Sequence, residues 1–236
     1  MTKASGIRVI GFASRPIVLL VAVVVVSVAA CTSDDRPPAA SPRAPVRTIP
    51  QPPEPPHLAT APADDRVDTG MPTFSDPTTI TNPLFPVSSQ RSVLMLGHVD
   101  GLPFRAEVTL LPYTRIVEWE GQRVETSVSQ YNAFLDGRIE EIAYDYYAQA
   151  DDGSVWYFGE DVFDFRDGAI IVTEGTWLAG RDGPAAMIMP ANPSLGDVYR
   201  PENAPPLVFE EVTVTSISET LAGPLDPIPG GMVARE

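Results

Sequence analysis

Apolar and polar positions alternate in two runs that mirror each other about Asp100-Gly101. Folding the chain back at that dipeptide sets Val93, Met95, Gly97 and Val99 against Val108, Ala106, Phe104 and Leu102. The other face then pairs Leu94 with Glu107, Leu96 with Arg105 and His98 with Pro103. One apolar face and one mixed face predict a half-buried antiparallel hairpin. Asp-Gly suits its turn, because both residues tolerate the positive φ of a two-residue type I′ loop. The dipeptide recurs at 136-137, 152-153, 167-168 and 182-183. The spacing of the turns at 136, 152 and 167 predicts consecutive strands near 124–135, 138–150, 154–166 and 169–178. No stretch carries a sustained helical period. The pattern is that of an all-β domain, an antiparallel meander of long strands forming a curled sheet or partial barrel.

One strand breaks the alternation. In VWYFGEDVFDFRDG, residues 155–168, Trp156 and Phe158 fall on even positions, Phe163 and Phe165 on odd ones. A regular strand would throw these pairs onto opposite faces. One extra residue at Gly159-Glu160-Asp161 restores a common face, which predicts a β-bulge there. The turn at 152 sets Asp145 opposite Glu160, and the turn at 167 sets Asp161 opposite Glu174. Across the turn at 167, Phe163 and Phe165 are expected to meet Val172 and Ile170. Like charges directly opposite one another are unfavourable. Three readings stand open: the acids point to water, an arginine such as Arg181 lies between them, or a hard cation such as calcium does. With Tyr146, Trp156 and Trp177, these four acids form the candidate cation or ligand site, a hollow for a small apolar or sugar-like molecule. Residues 177–201, rich in Gly and Pro, keep Met187-Ile188-Met189 among them and read as a lid over one end of the sheet.

Composition places this domain outside the cytoplasm. Residues 1–30 join a basic start (Lys3, Arg8, Arg15) to an apolar run from Pro16 to Ala30. The run is short of the ~20 residues a membrane span needs and reads as a secretory signal. It ends in Val28-Ala29-Ala30-Cys31, which resembles the lipobox of bacterial lipoproteins, so Cys31, the only cysteine, is the expected lipidation site. The mature chain then has no thiol for a disulfide, a metal or a nucleophile. The whole chain carries 16 Lys plus Arg against 31 Asp plus Glu; losing the three signal cations leaves 13 against 31, or −18. Such a field disfavours nucleic acid and anionic lipid surfaces, so the lipid at Cys31 is the expected membrane partner. Residues 31–72 are proline-rich and poor in large apolar side chains, which predicts a disordered tether. Ser41, Thr48 and Thr60 beside its prolines are candidate glycosylation positions. Residues 73–236 then make a single β domain.

Catalytic signatures are sparse. There is no G-x-S-x-G elbow, phosphate loop, dinucleotide fingerprint, zinc spacing or EF-hand spacing. The only histidines are His57, in the tether, and His98, in the first hairpin. A hydrolase would have to work through acids near Glu160 and Asp161.

Two stretches resemble a family of uncharacterised bacterial secreted proteins. TNPLFP, residues 81–86, is similar to that family's NPYFPL opening. Residues 155–205 are similar to its longest shared block, which runs through V-Y-Y-F-G-E-D-V, E-G-x-W-x-A-G-x-D-G-A and M-P-x-x-P-x-x-G-x-x-Y. Tyr157, Phe158, Gly159, Glu160, Asp161, Trp177, Asp182, Gly183, Met189 and Pro190 fall on shared positions. Arg200-Pro201-Glu202 and Pro206-Leu207 depart from the pattern. The resemblance implies no activity. It implies at least one more strand after GPLDPIPGGMVARE, where Met232-Val233-Ala234 begins to read as a strand, so the domain is expected to lack an edge strand or to be truncated. The expectation is an extracytoplasmic, membrane-anchored lipoprotein that serves as a non-catalytic binding or envelope-structural module.

Overall fold

The computed structural model describes residues 60–89, 91–221 and 226–236. The signal, Cys31, Ser41, Thr48 and the tether up to residue 59 lie outside the described residues. The domain is all-β, with no α-helix among the described residues. Its main sheet takes β1 (Ser92–Val99), β2 (Leu102–Trp119), β3 (Gln122–Leu135), β4 (Arg138–Gln149), β5 (Val155–Arg166) and β6 (Ala169–Val172) in sequence order. Two short strands, β7 (Trp177–Leu178) and β8 (Ala186–Met189), also pair with β5. A second sheet has the order β11 (Ile228–Arg235), β10 (Val208–Leu221), β9 (Val198–Ala204). All strand pairs are antiparallel.

The first hairpin has the expected register at every position from Ser92↔Thr109 to Val99↔Leu102. Asp100-Gly101, Asp136-Gly137 and Asp167-Gly168 all turn with positive φ at both residues, and Glu120-Gly121 does the same. Asp152-Gly153 and Asp182-Gly183 do not: in each, only one residue or neither has positive φ. The bulge is present. Between the pairs Asp145↔Glu160 and Tyr147↔Tyr157, Tyr146 alone faces both Phe158 and Gly159. Gly159 takes a φ of +121°.

That extra residue sorts the side chains. Tyr147, Tyr157, Asp145, Glu160 and Trp177 share one face, as their direct pairings require. Trp156, Phe158, Asp161 and Phe163 share the other, with Tyr144 and Tyr146. The sheet curls toward this second face. Trp119 of β2 lies 6.2 Å from Trp156 and 5.7 Å from Phe158 of β5, although β3 and β4 separate these strands in the sheet. The result is a curled half-barrel whose concave face is closed at one end by Trp119, Trp156 and Phe158.

Three expectations need correction here. Asp164, not Phe163, stands opposite Val172, because Ile171 is an extra residue in β6. The strand foreseen over 169–178 stops at Val172. A turn then closes with Thr176 N bonded to Thr173 O at 3.3 Å, and Thr176 Oγ1 accepts from Val162 N at 2.8 Å in place of a ladder partner. The apolar triplet of the segment read as a lid is instead sheet: Met187-Ile188-Met189 are buried in β8 alongside Val155 and Trp156.

The segment before β1 straps the domain together. Phe74 packs edge-on against Phe158 on the concave face, and Phe85 against Tyr147 on the other. Asn82 is the fastening. Its Nδ2 donates to Gly153 O and Pro190 O, both at 3.0 Å, and its Oδ1 accepts from Leu84 N. This gives the TNPLFP stretch a structural reason. Residues 60–72, read as the end of the tether, pack on the second sheet: Val67 N donates to Val198 O, and Arg200 N to Asp68 Oδ2. The Arg66–Asp68 pair at 2.8 Å is largely buried there. Asn82→Ala leaves two carbonyls and one N–H without partners, so we expect a loss of about 2 kcal/mol. Thermal denaturation will read that as a drop of roughly 4–8 °C.

Candidate functional site

The bulge at Gly159 divides the predicted site in two. Asp145, Glu160 and Trp177 lie on the covered face, Tyr146, Trp156 and Asp161 on the concave face, and Glu174 in the exposed turn after β6. Asp145 and Glu160 are opposite each other as foreseen, but they do not reach water: they are 4% and 6% exposed. Tyr157 donates its hydroxyl to Asp145 Oδ1 at 2.8 Å. Burial raises the Asp145 carboxyl to about 7, the Tyr157 bond offsets part of this, and the Glu141 and Glu202 charges add to the rise. Glu160 is pushed well above its usual range, first by burial, then by Asp145, Glu202 and Glu141. Glu202 comes from β9, so the second sheet brings its charge to this face. Tyr131 on the same face is pushed up to about 12 by burial, Glu141 and Asp145. A desolvated pair with added negative charge favours the neutral acid. Among the described residues no group of three or more His, Cys, Asp or Glu side chains is arranged to hold a metal ion.

The concave face is different in kind. Asp161 meets Arg115, not Arg181, with Nη1 to Oδ2 at 3.0 Å. Arg181 pairs with its neighbour Asp182 at 2.6 Å. Tyr146 donates to the same Asp161 oxygen at 2.5 Å, and the Arg115 guanidinium lies 4.3 Å over the Tyr146 ring. Burial, then the Asp161 bond and charge, hold the Tyr146 hydroxyl well above its ordinary range. The Arg115 and Asp161 side chains remain 35% and 41% exposed. No family model, curated protein or solved structure matches the chain. Beside this trio, Tyr144 stands directly opposite Asp161, accepts from Gln130 Nε2 at 3.3 Å and meets the Phe163 ring edge-on at 6.2 Å. These side chains are half-buried.

The hollow expected beside Tyr146, Trp156 and Trp177 does not form as one site. Trp177 is on the other face, and Tyr146 and Trp156 are buried. A shallow cleft of about 440 Å³ lies instead at the hairpin tips, lined by Leu96, His98, Phe104, Arg105 and Phe134. Arg115 is not legible from the strand pattern because β3 and β4 separate its strand from β5, so only the curl of the sheet brings it to Asp161. Gln130, Tyr144 and Phe163 carried a usable signal, their shared parity with Tyr146 across β3, β4 and the bulged β5.

Proposed function

We propose that the chain is a membrane-anchored extracytoplasmic module that binds a ligand without transforming it. One observation carries this reading: the acids with strongly perturbed protonation are sealed on the covered face, while the reachable face offers a charge-compensated Arg115–Asp161 pair beside half-buried aromatic side chains. A concave surface with a few convergent polar groups is the usual form of a binding site. The anchor belongs to the same proposal and rests on the lipobox-like run ending at Cys31. Growth with a radiolabelled fatty acid should label the wild-type chain and leave Cys31→Ser unlabelled and released from the membrane fraction. Equal labelling of both removes the anchor.

A hydrolase is the second reading, and the near-neutral Asp145 carboxyl favours it, since a general acid–base works best near ambient pH. It meets a geometric difficulty. Glu160 and Asp161 are consecutive in β5 and face opposite sides of the sheet, so they cannot act on one substrate. Hydrolysis of any ester or glycoside substrate that disappears in both Glu160→Gln and Asp161→Asn would restore it.

A further inference from the structure

We infer that the ligand of the concave face is a neutral saccharide, held across β2, β3, β4 and β5 by Arg115, Asp161, Tyr144, Gln130 and Phe163. This deepens the binding-module reading and rests on it. The argument begins with what these side chains leave unused. Both hydrogen bonds of Asp161 arrive at Oδ2, so Oδ1 accepts none among the described residues. Arg115 donates one of its five N–H groups to Asp161 and stacks on Tyr146, which leaves further donors on a guanidinium that is 35% exposed. Tyr144 accepts from Gln130, so its own O–H is available, and so is Gln130 Oε1. Gln130, Tyr144 and Asp161 are direct neighbours across three strands. Directly opposed residues place their Cβ atoms about 5 Å apart.

The surface therefore presents acceptors and donors side by side next to an aromatic pair. Neighbouring ring hydroxyls of a sugar match that arrangement, because each both donates and accepts: one gives its proton to Asp161 Oδ1 while the next receives from Arg115. The C–H face of the sugar ring then lies on the Tyr144–Phe163 pair. Charge selects among ligands. Arg115 and Asp161 cancel locally, and the whole chain, 16 Lys plus Arg against 31 Asp plus Glu, carries −15. An anion would meet that field, and a cation would find Asp161 already neutralised by Arg115, whereas a neutral polyol needs no uncompensated charge. An apolar ligand would strip water from Arg115 and Asp161 without replacing it.

The test uses the full chain in detergent and calorimetric titration with three neutral probes, maltohexaose, cellohexaose and chitohexaose. At least one should bind saturably. Asp161→Asn and Tyr144→Ala should each weaken that binding at least tenfold, while Tyr144→Phe, which keeps the ring, should lose less. Melting temperatures of the variants, measured in parallel, separate lost contacts from lost fold. Binding that survives both Asp161→Asn and Tyr144→Ala in folded protein overturns the inference. So does the absence of saccharide binding. If the apolar probe N-phenyl-1-naphthylamine then binds the wild-type chain and its binding is lost in Tyr144→Ala, the binding-module reading stands without the saccharide. If neither probe class binds, both fall.

Discussion

Asp145→Asn will stabilise the domain above neutral pH and leave it nearly unchanged at pH 4. The effect follows from the raised carboxyls on the covered face. In the unfolded chain an aspartate and a glutamate ionise near 4. In the fold, Asp145 keeps its proton to about 7, and Glu160 keeps its proton well above the usual range. Between those limits the folded state binds more protons than the unfolded state, so stability falls as pH rises. It is fully present below about pH 4 and lost as pH climbs through the folded values, the reverse of ordinary acid denaturation. Each pKa unit is worth about 1.4 kcal/mol. Asparagine removes the titration, still offers Tyr157 an acceptor and adds an N–H toward Glu160. At pH 8 the gain should be on the order of 3 kcal/mol, or roughly 6–12 °C in Tm. Melting curves from pH 4 to 9 decide it: if wild type and Asp145→Asn run parallel, the buried pair is not the source of the slope. Glu160→Gln should flatten the same curve, because the two acids share one desolvated space and titrate together.

Much of this geometry is legible in the residues, and the illegible part has identifiable physical causes. Where a turn dipeptide and a period of two agree, as in β1 and β2, every cross-strand partner can be counted. The pairing of Asp145 with Glu160 is also countable, although the turn at Asp152-Gly153 is not the two-residue loop assumed: the shift it introduces and the bulge at Gly159 compensate one another. The parity of the aromatics in VWYFGEDVFDFRDG locates that bulge, since only one added residue brings Trp156, Phe158 and Phe163 to the same side. What parity cannot say is which side water reaches. Aromatic residues occupy both faces of β4 and β5, so nothing in the strand marks Glu160 as sealed and Asp161 as reachable. That depends on partners remote in sequence. Glu202 arrives from β9 of the second sheet, and Arg115 reaches Asp161 across two intervening strands. The ends of strands are equally opaque, as Ile171 shows: one additional residue in a four-residue strand moved Val172 from Phe163 to Asp164.

The bulge itself carries the last expectation. Gly159→Ala should cost more than about 4 kcal/mol and expose Trp177, whereas Gly168→Ala at the turn should cost only about 1 kcal/mol. Both glycines have positive φ, +121° and +78°, so both lose backbone freedom that only glycine supplies without strain. They differ in what a methyl group would meet. At Gly168 nothing lies within 4 Å; at Gly159 the new Cβ would fall 2.2 Å from Trp177 O and 2.8 Å from Leu178 Cα. Those are backbone atoms of β7, paired with Gly159 and Glu160, and cannot swing aside as a side chain can. Relief requires β7 to leave β5. Trp177, fully buried against Tyr157, would go with it, and the covered face would open beside Asp145 and Glu160. Urea denaturation gives the cost, and a red shift of tryptophan emission under native conditions reports the loss of β7. Equal destabilisation by the two substitutions would mean that φ alone sets the cost. A larger loss at Gly159 with an unshifted emission would mean that β7 yields in place. The expected combination ties the extra residue in β5 to the separation of the two faces, because the same close approach that forbids a Cβ at Gly159 holds Glu160 on the sealed side and Asp161 on the open one.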